Sequence, residues 1–143
     1  MRAARHAGLS TSCEKGKYLA SLCIEYLLIL IALRSRRAVF VDTDAIPALD
    51  SRVGDLIQNS TEASLVQHFA ETLLRGGVKE EQIGIISLYR QQIKLLTRLL
   101  EPYKSIEILT ADRSQGRDKD CIIISLVRAN DKNEVSLLPV LYE

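Results

Sequence analysis

From Ala38 onward, short apolar runs alternate with longer segments in which apolar residues recur at helical spacing, and this alternation restricts the fold more than any other feature of the chain. The run "AVFVDTD" at Ala38–Asp44 reads as a strand whose carboxyl end opens into a loop through Pro47, Gly54 and Asn59. A helix follows. Asn59 with Glu62 three residues later resembles a capping box, Leu65, Val66, Phe69, Ala70, Leu73 and Leu74 form its apolar face, and Gly76-Gly77 stops it. Asn59-Ser60-Thr61 also matches a glycosylation sequon, but capping explains the same atoms. "IGIIS" at Ile83–Ser87 predicts a second strand, and "LYRQQIKLLTRLLEPY" a second helix with Ile93, Leu96, Leu99 and Leu100 on one face before Pro102. "IEIL" at Ile106–Leu109 and "CIIISLV" at Cys121–Val127 complete the strands. The latter is too uniformly apolar for a sheet with one wet face. The pattern predicts an α/β fold, a parallel sheet with flanking helices.

Composition narrows the function classes. A chain of 143 residues that is 47% hydrophobic can build one domain with a real core. Its 19 basic and 18 acidic residues nearly cancel, so no global positive field favours nucleic acid or membrane, and any such contact must be local. Three scattered cysteines (Cys13, Cys23, Cys121) suit a reducing compartment better than a disulfide framework. Neither His6 nor His68 has the spacing of a metal site, and Cys121, heading an apolar strand, reads as a small buried hydrophobe rather than a nucleophile.

Residues 1–37 are different in kind, holding seven of the basic residues against two acids. Tyr18–Leu33 is apolar all round with basic flanks. It is short for a membrane span, carries Glu25 at its middle, and is followed by "RSRRAVF" rather than a small-residue cleavage site. It is expected to form an extra apolar helix that is buried or seeks a protein partner through residues 18–33, with membrane anchoring through the same residues as the alternative. The expected division is 1–37, a divergent segment, and 38–143, the α/β domain.

In an open parallel sheet, ligands meet the loops at the carboxyl ends of strands. Those loops carry Asp42, Thr43 and Asp44; Ser87, Tyr89, Arg90 and Gln91; Thr110, Asp112, Arg113, Gln115, Gly116, Arg117 and Asp118; and Arg128 and Asn130. Guanidinium groups at such a rim suit phosphate, whose oxygens match their planar fork. Blander readings stand beside these. Tyr89 could be packing, Arg90 could lay its stem over the surface, Asp112 could cap a turn, Gly116 could serve only a turn, and Arg117 with Asp118 could be a solvated pair.

The pair "IGIISLYRQQ" (83–92) and "TADRSQGRDKDCIIISLVRAN" (110–130), in this order and separation, resembles the second motor lobe of superfamily 1 helicases. Within that superfamily it is most similar to the eukaryotic DNA replication helicase/nuclease and its relatives involved in RNA surveillance. The resemblance runs from about Val39 to Asn130. It implies a RecA-like, P-loop NTPase-type lobe that works with ATP and Mg2+ on single-stranded DNA against a first lobe, in the nucleus or the mitochondrion. Carried over by position, Gln115, Gly116 and Asp118 match the nucleotide-facing motif, and Arg90 and Arg128 match phosphate-side or interlobe groups. Ser87, Tyr89 and Thr110 match strand-facing positions. Leu88 stands where the family prefers proline, Ser114 where it prefers an aromatic, and Ala111 where it has a larger apolar residue. A phosphate-binding G-x-x-x-x-G-K-[ST] loop, an Asp-Glu magnesium motif and a final arginine motif are not in this sequence. The expectation is an incomplete second lobe, part of an ATP-dependent DNA helicase/nuclease of replication and repair, that binds no nucleotide strongly and hydrolyses negligible ATP alone. The alternative is a non-catalytic interaction module using the apolar amino-terminal helix. An open sheet of this kind is expected to expose an edge and an apolar face.

Overall fold

The computed structural model describes residues 38–43, 48–54 and 56–129; the expectations for residues 1–37, Asp44, Pro47 and Asn130 lie outside these. The chain divides between Val39 and Phe40, and the elements below belong to the second unit. In chain order they are β1 (Ser51–Val53), β2 (Leu56–Gln58), α1 (Ser60–Arg75), β3 (Ile83–Ser87), α2 (Arg90–Leu99), β4 (Glu107–Leu109), α3 (Ala111–Ser114) and β5 (Cys121–Ser125).

β3, β4 and β5 form a parallel sheet in the order β4-β3-β5. Gly84 pairs with Glu107 and Ile122, and Ile85 with Ile108 and Ile123. Successive side chains of a strand point to opposite faces, so this register fixes which residues share a side. Ile83, Ile85, Ile108, Cys121 and Ile123 turn toward α1 and α2, where Ala63, Val66, Ala70, Leu73, Leu96 and Leu100 close one core. Burying a single such side chain stabilises by about 1.5–3 kcal/mol, which makes this face the anchor of the fold. This is the mixed α/β, RecA-like arrangement that the alternating pattern and the resemblance predicted.

The helices end where the sequence says they should. The Asn59 side chain accepts the Glu62 N–H at the start of α1, and the Gly76 N–H returns to Thr72 at 2.9 Å. Three expectations need correction. Ala38–Thr43 forms no strand; Phe40 is 80% exposed, because an apolar β-branched run becomes a strand only beside a partner edge. Residues 51–58, read as loop, form the antiparallel hairpin β1-β2, with Val53 opposite Leu56 and Gly54 at φ +61°. Its signal was Gly54-Asp55 between apolar residues, a two-residue hairpin turn. β5 is not covered on both faces: Ile122 and Ile124 are 53% and 59% exposed on the face away from the helices. That face and the edge position of β5 are the exposed apolar surface foreseen for an open sheet.

Candidate functional site: a rim of loops at the strand ends

Because β3 and β5 are parallel, their carboxyl ends emerge side by side, and the residues that follow them meet. Ser87 ends β3 fully buried; its hydroxyl donates to the Ser125 carbonyl at 3.1 Å and receives the Tyr89 N–H at 3.4 Å. Tyr89 begins α2 as its N-cap and packs with Ile57 and Val127 in a small apolar cluster. Burial pushes the Tyr89 hydroxyl above its ordinary pKa; nearby Arg128 opposes that shift and Asp50 adds to it. Arg128 lies beyond β5 with its Nε 3.3 Å from Asp50 Oδ2, and both side chains are nearly out of solvent, 11% and 12% exposed. Arg90 opens α2 on the exposed side.

Beneath this rim lies a buried hydrogen-bonded network centred on Asn59. The Asn59 side-chain amide donates to the Ala48 carbonyl at 2.6 Å and the Val127 carbonyl at 3.1 Å, while its oxygen caps α1. The Asn59 backbone N–H donates to Gln92 Oε1 at 2.9 Å, and Gln92 Nε2 donates to the Asn59 carbonyl and to Ser125 Oγ, each at 3.1 Å. Glu62 does not complete the capping box. Its carboxylate instead receives the N–H groups of Leu126 and Val127 at 2.7 and 2.8 Å. Asp50 binds the same turn from the other side: its N–H donates to the Ala129 carbonyl, and its carboxylate receives the Ala129 N–H. No buried side-chain nitrogen or oxygen among the described residues lacks a partner.

The loop after β4 is of another make. Thr110 caps α3 without a side-chain bond, and Gln115, Gly116, Arg117 and Asp118 are all exposed. Gly116 sits at φ +75°, where a β-carbon would touch nothing within 4 Å, so within the chain the glycine serves the turn's backbone rather than a close contact. Arg117 and Lys119 then reach Glu107 at 3.1 and 3.2 Å, and Lys119 donates to the Glu81 carbonyl at 2.7 Å. The Lys119 bond foremost, with the Arg117 charge behind it, holds the Glu107 carboxyl below its usual range. Glu107 is the register partner of Gly84, so the loop runs back along the open face of the sheet toward the start of β3. The structure thus gathers Ser87, Tyr89 and Arg128 at one rim and carries Arg117 away from it. A groove of about 70 Å³ between this loop and the sheet, lined by Ile86, Leu109, Arg117 and Ile122 among others, has room for about two waters and not for a nucleotide.

Cys121 is a free thiol whose pKa burial raises, with Asp120 adding to the shift, as befits a packing residue. Among the described residues no group of three or more His, Cys, Asp or Glu could hold a metal ion. Guanidinium and amide donors at the rim fit phosphate oxygens rather than a bare cation. Among the described residues, too, no helix is long and apolar enough to cross a membrane. Sequence reasoning missed Gln92 and Asp50 and saw only a cap in Asn59 and Glu62. Gln92 had a signal: it lies one turn before Leu96 on the apolar face of α2, where a polar group must be hydrogen-bonded.

Comparison with known proteins agrees with this arrangement. A family model described as an AAA domain matches residues 21–140. The DNA replication ATP-dependent helicase/nuclease of Schizosaccharomyces pombe is 45% identical over 104 residues, covering 73% of this chain and 7% of the relative. The protein of the same name in Saccharomyces cerevisiae is 44% identical over 101 residues (68% and 7%), and that of Homo sapiens 36% over 100 residues (69% and 9%). The chain therefore spans less than a tenth of the length of these relatives. On this fold, these motifs and this family match, the chain belongs to the AAA domain family and is a homologue of the eukaryotic DNA replication ATP-dependent helicase/nucleases.

Proposed function

We propose that this chain supplies part of the second motor lobe of an ATP-dependent DNA helicase/nuclease of replication and repair, working in the nucleus. The observation that carries the reading is the rim itself: within the region that the AAA domain model matches, in a chain 45% identical over 104 residues to a replication helicase/nuclease, Arg128 and Tyr89 stand together at adjacent carboxyl ends of parallel strands. In this reading Arg128 and Arg90 face nucleotide phosphate or the first lobe. Gln115, Gly116 and Asp118 approach ATP and its Mg2+ once that lobe closes over them. Ser87, Tyr89 and Thr110 line the path of single-stranded DNA. Ser87 and Tyr89 are both buried, so they would act by shaping the loop backbone, whose N–H groups would follow the phosphates. Catalysis of this kind rests on positioned charges from both lobes, so the chain alone is expected to hydrolyse negligible ATP.

The test replaces the matching segment of the fission-yeast helicase/nuclease with the corresponding residues of this chain and measures DNA-stimulated ATP hydrolysis. The chimaera is expected to keep that activity, and Arg128→Ala within it to lower kcat by about 100-fold or more, the loss typical of removing a charge-stabilising donor. A folded, DNA-binding chimaera without stimulated hydrolysis overturns the proposal. So does one in which Arg128→Ala changes nothing.

A further inference from the structure

Val127 carries a backbone conformation that its side chain opposes. It sits at φ +71°, the only non-glycine residue at positive φ among those described, and a β-branched residue there is a genuine outlier. The Arg128 N–H closes a tight turn onto the Leu126 carbonyl at 2.8 Å across Val127, a γ-turn of the rare, strained hand. Val127 is also completely buried, so the turn cannot relax into solvent. Something must hold it.

Asp50 holds the far end of this turn at Ala129, and three further sets of contacts grip its apex. Asn59 Nδ2 donates to the Val127 carbonyl, Val127's side chain packs on Ile57 and Tyr89, and the Glu62 carboxylate receives two consecutive N–H groups, those of Leu126 and Val127. Two adjacent amides aimed at one anion form a concave, positively polarised pocket, and Glu62 fills it from the first turn of α1, where the helix's own amides also favour negative charge. Arg128 is the next residue along. Its side chain meets Asp50 immediately beyond the turn.

We infer that Glu62 is the positioning residue for Arg128: its carboxylate holds Leu126 and Val127 in the left-handed turn and so aims the guanidinium at the rim. Glu62 touches neither nucleotide nor DNA in this scheme and acts entirely through the backbone. The inference rests on the proposed function for what Arg128 does, but not for how it is held. If it is right, Glu62 is needed only because residue 127 is a valine. Glycine, which adopts positive φ without steric cost, makes it dispensable.

The experiment uses the full 143-residue chain, isotopically labelled, as Glu62→Gln, Val127→Gly and the double variant. NMR reads the φ-dependent coupling of residue 127, amide exchange at Leu126 and Val127, and the Arg128 Nε–H resonance. Glu62→Gln is expected to keep the helical signal, shift the Val127 coupling, speed exchange at both amides by at least about 10-fold through local opening, and move the Arg128 resonance. Glu62→Gln/Val127→Gly is expected to return the Arg128 resonance to the position it has in Val127→Gly. Should Glu62→Gln fail to fold, Glu62→Asp keeps the charge at the helix start while shortening the reach, and the same shifts are expected. Unchanged Val127 coupling and Arg128 resonance in a Glu62 variant overturn the inference, as does a double variant in which Arg128 is not restored. The fission-yeast chimaera separates the two claims: if Arg128→Ala leaves its DNA-stimulated ATP hydrolysis unchanged while the Glu62 variants behave as described, the nucleotide role of Arg128 fails and the positioning role stands.

Discussion

The loops after β4 and β5 both carry an arginine and a residue at positive φ, yet they are built in opposite ways. The turn after β5 is gripped by Asn59, Glu62 and Asp50, its valine fully buried, its arginine paired where little water reaches. The loop after β4 relies on glycine for its conformation and on ion pairs of Arg117 and Lys119 to a half-buried Glu107 for its tether. The first is fixed by buried contacts; the second rests on surface ones. Under the proposed motor role, the first would set geometry and the second would respond to the ligand.

Substitutions can break that contrast, and the largest effect belongs to Asn59. Asn59→Ala removes the cap of α1 and strands the carbonyls of Ala48 and Val127. It should cost about 3 kcal/mol or more of unfolding free energy in urea titrations, against within about 0.5 kcal/mol for Gln115→Ala. Equal costs would erase the distinction. Gln92→Leu comes next, because it leaves the Asn59 N–H and Ser125 Oγ without their buried partner. A loss of about 1–3 kcal/mol by the same titration is expected. Gly116→Ala should lose only about 1 kcal/mol, the cost of a left-handed alanine, since no atom stands in its way.

Titration sharpens the comparison at lower amplitude. The folded Tyr89 hydroxyl has its pKa raised, so its contribution is fully present below the unfolded tyrosine pKa and is lost as pH rises through the folded value. Spectrophotometric titration should show one tyrosine ionising late, and Tyr89→Phe should remove that step. Glu107 runs the other way: its lowered pKa means a contribution present above the unfolded value and lost as pH falls through the folded one. Arg117→Ala should change the melting temperature least of all, and any difference should vanish in high salt.

Much of the fold was legible because it rests on periodicity. α1, α2, β3, β4 and β5 all lie where spacing placed them, since core-facing residues must recur with the period of their element. The failures share a cause as well. Ala38–Thr43 has strand composition but no described partner, and pairing is not written in a segment's own residues. At the rim, Ser87, Tyr89 and Arg128 could be placed by topology alone. Glu62's grip on Leu126 could not, because it joins residues 64 positions apart, and local sequence offered the capping box as a competing use for the same carboxylate.

The bare face of β5 has its own bearing on handling and behaviour. Ile122 and Ile124, with Leu126 just beyond them, expose apolar surface on what is an edge strand among the described residues, and charge repulsion offers little protection to a chain of net charge +1. Attraction between such surfaces grows with excluded salts and with warming from the cold, whereas adhesion through the charged Glu107 loop would fade with salt. Light scattering across a sulfate series thus tells which surface makes copies of this chain cohere, and sulfate should increase the scattering.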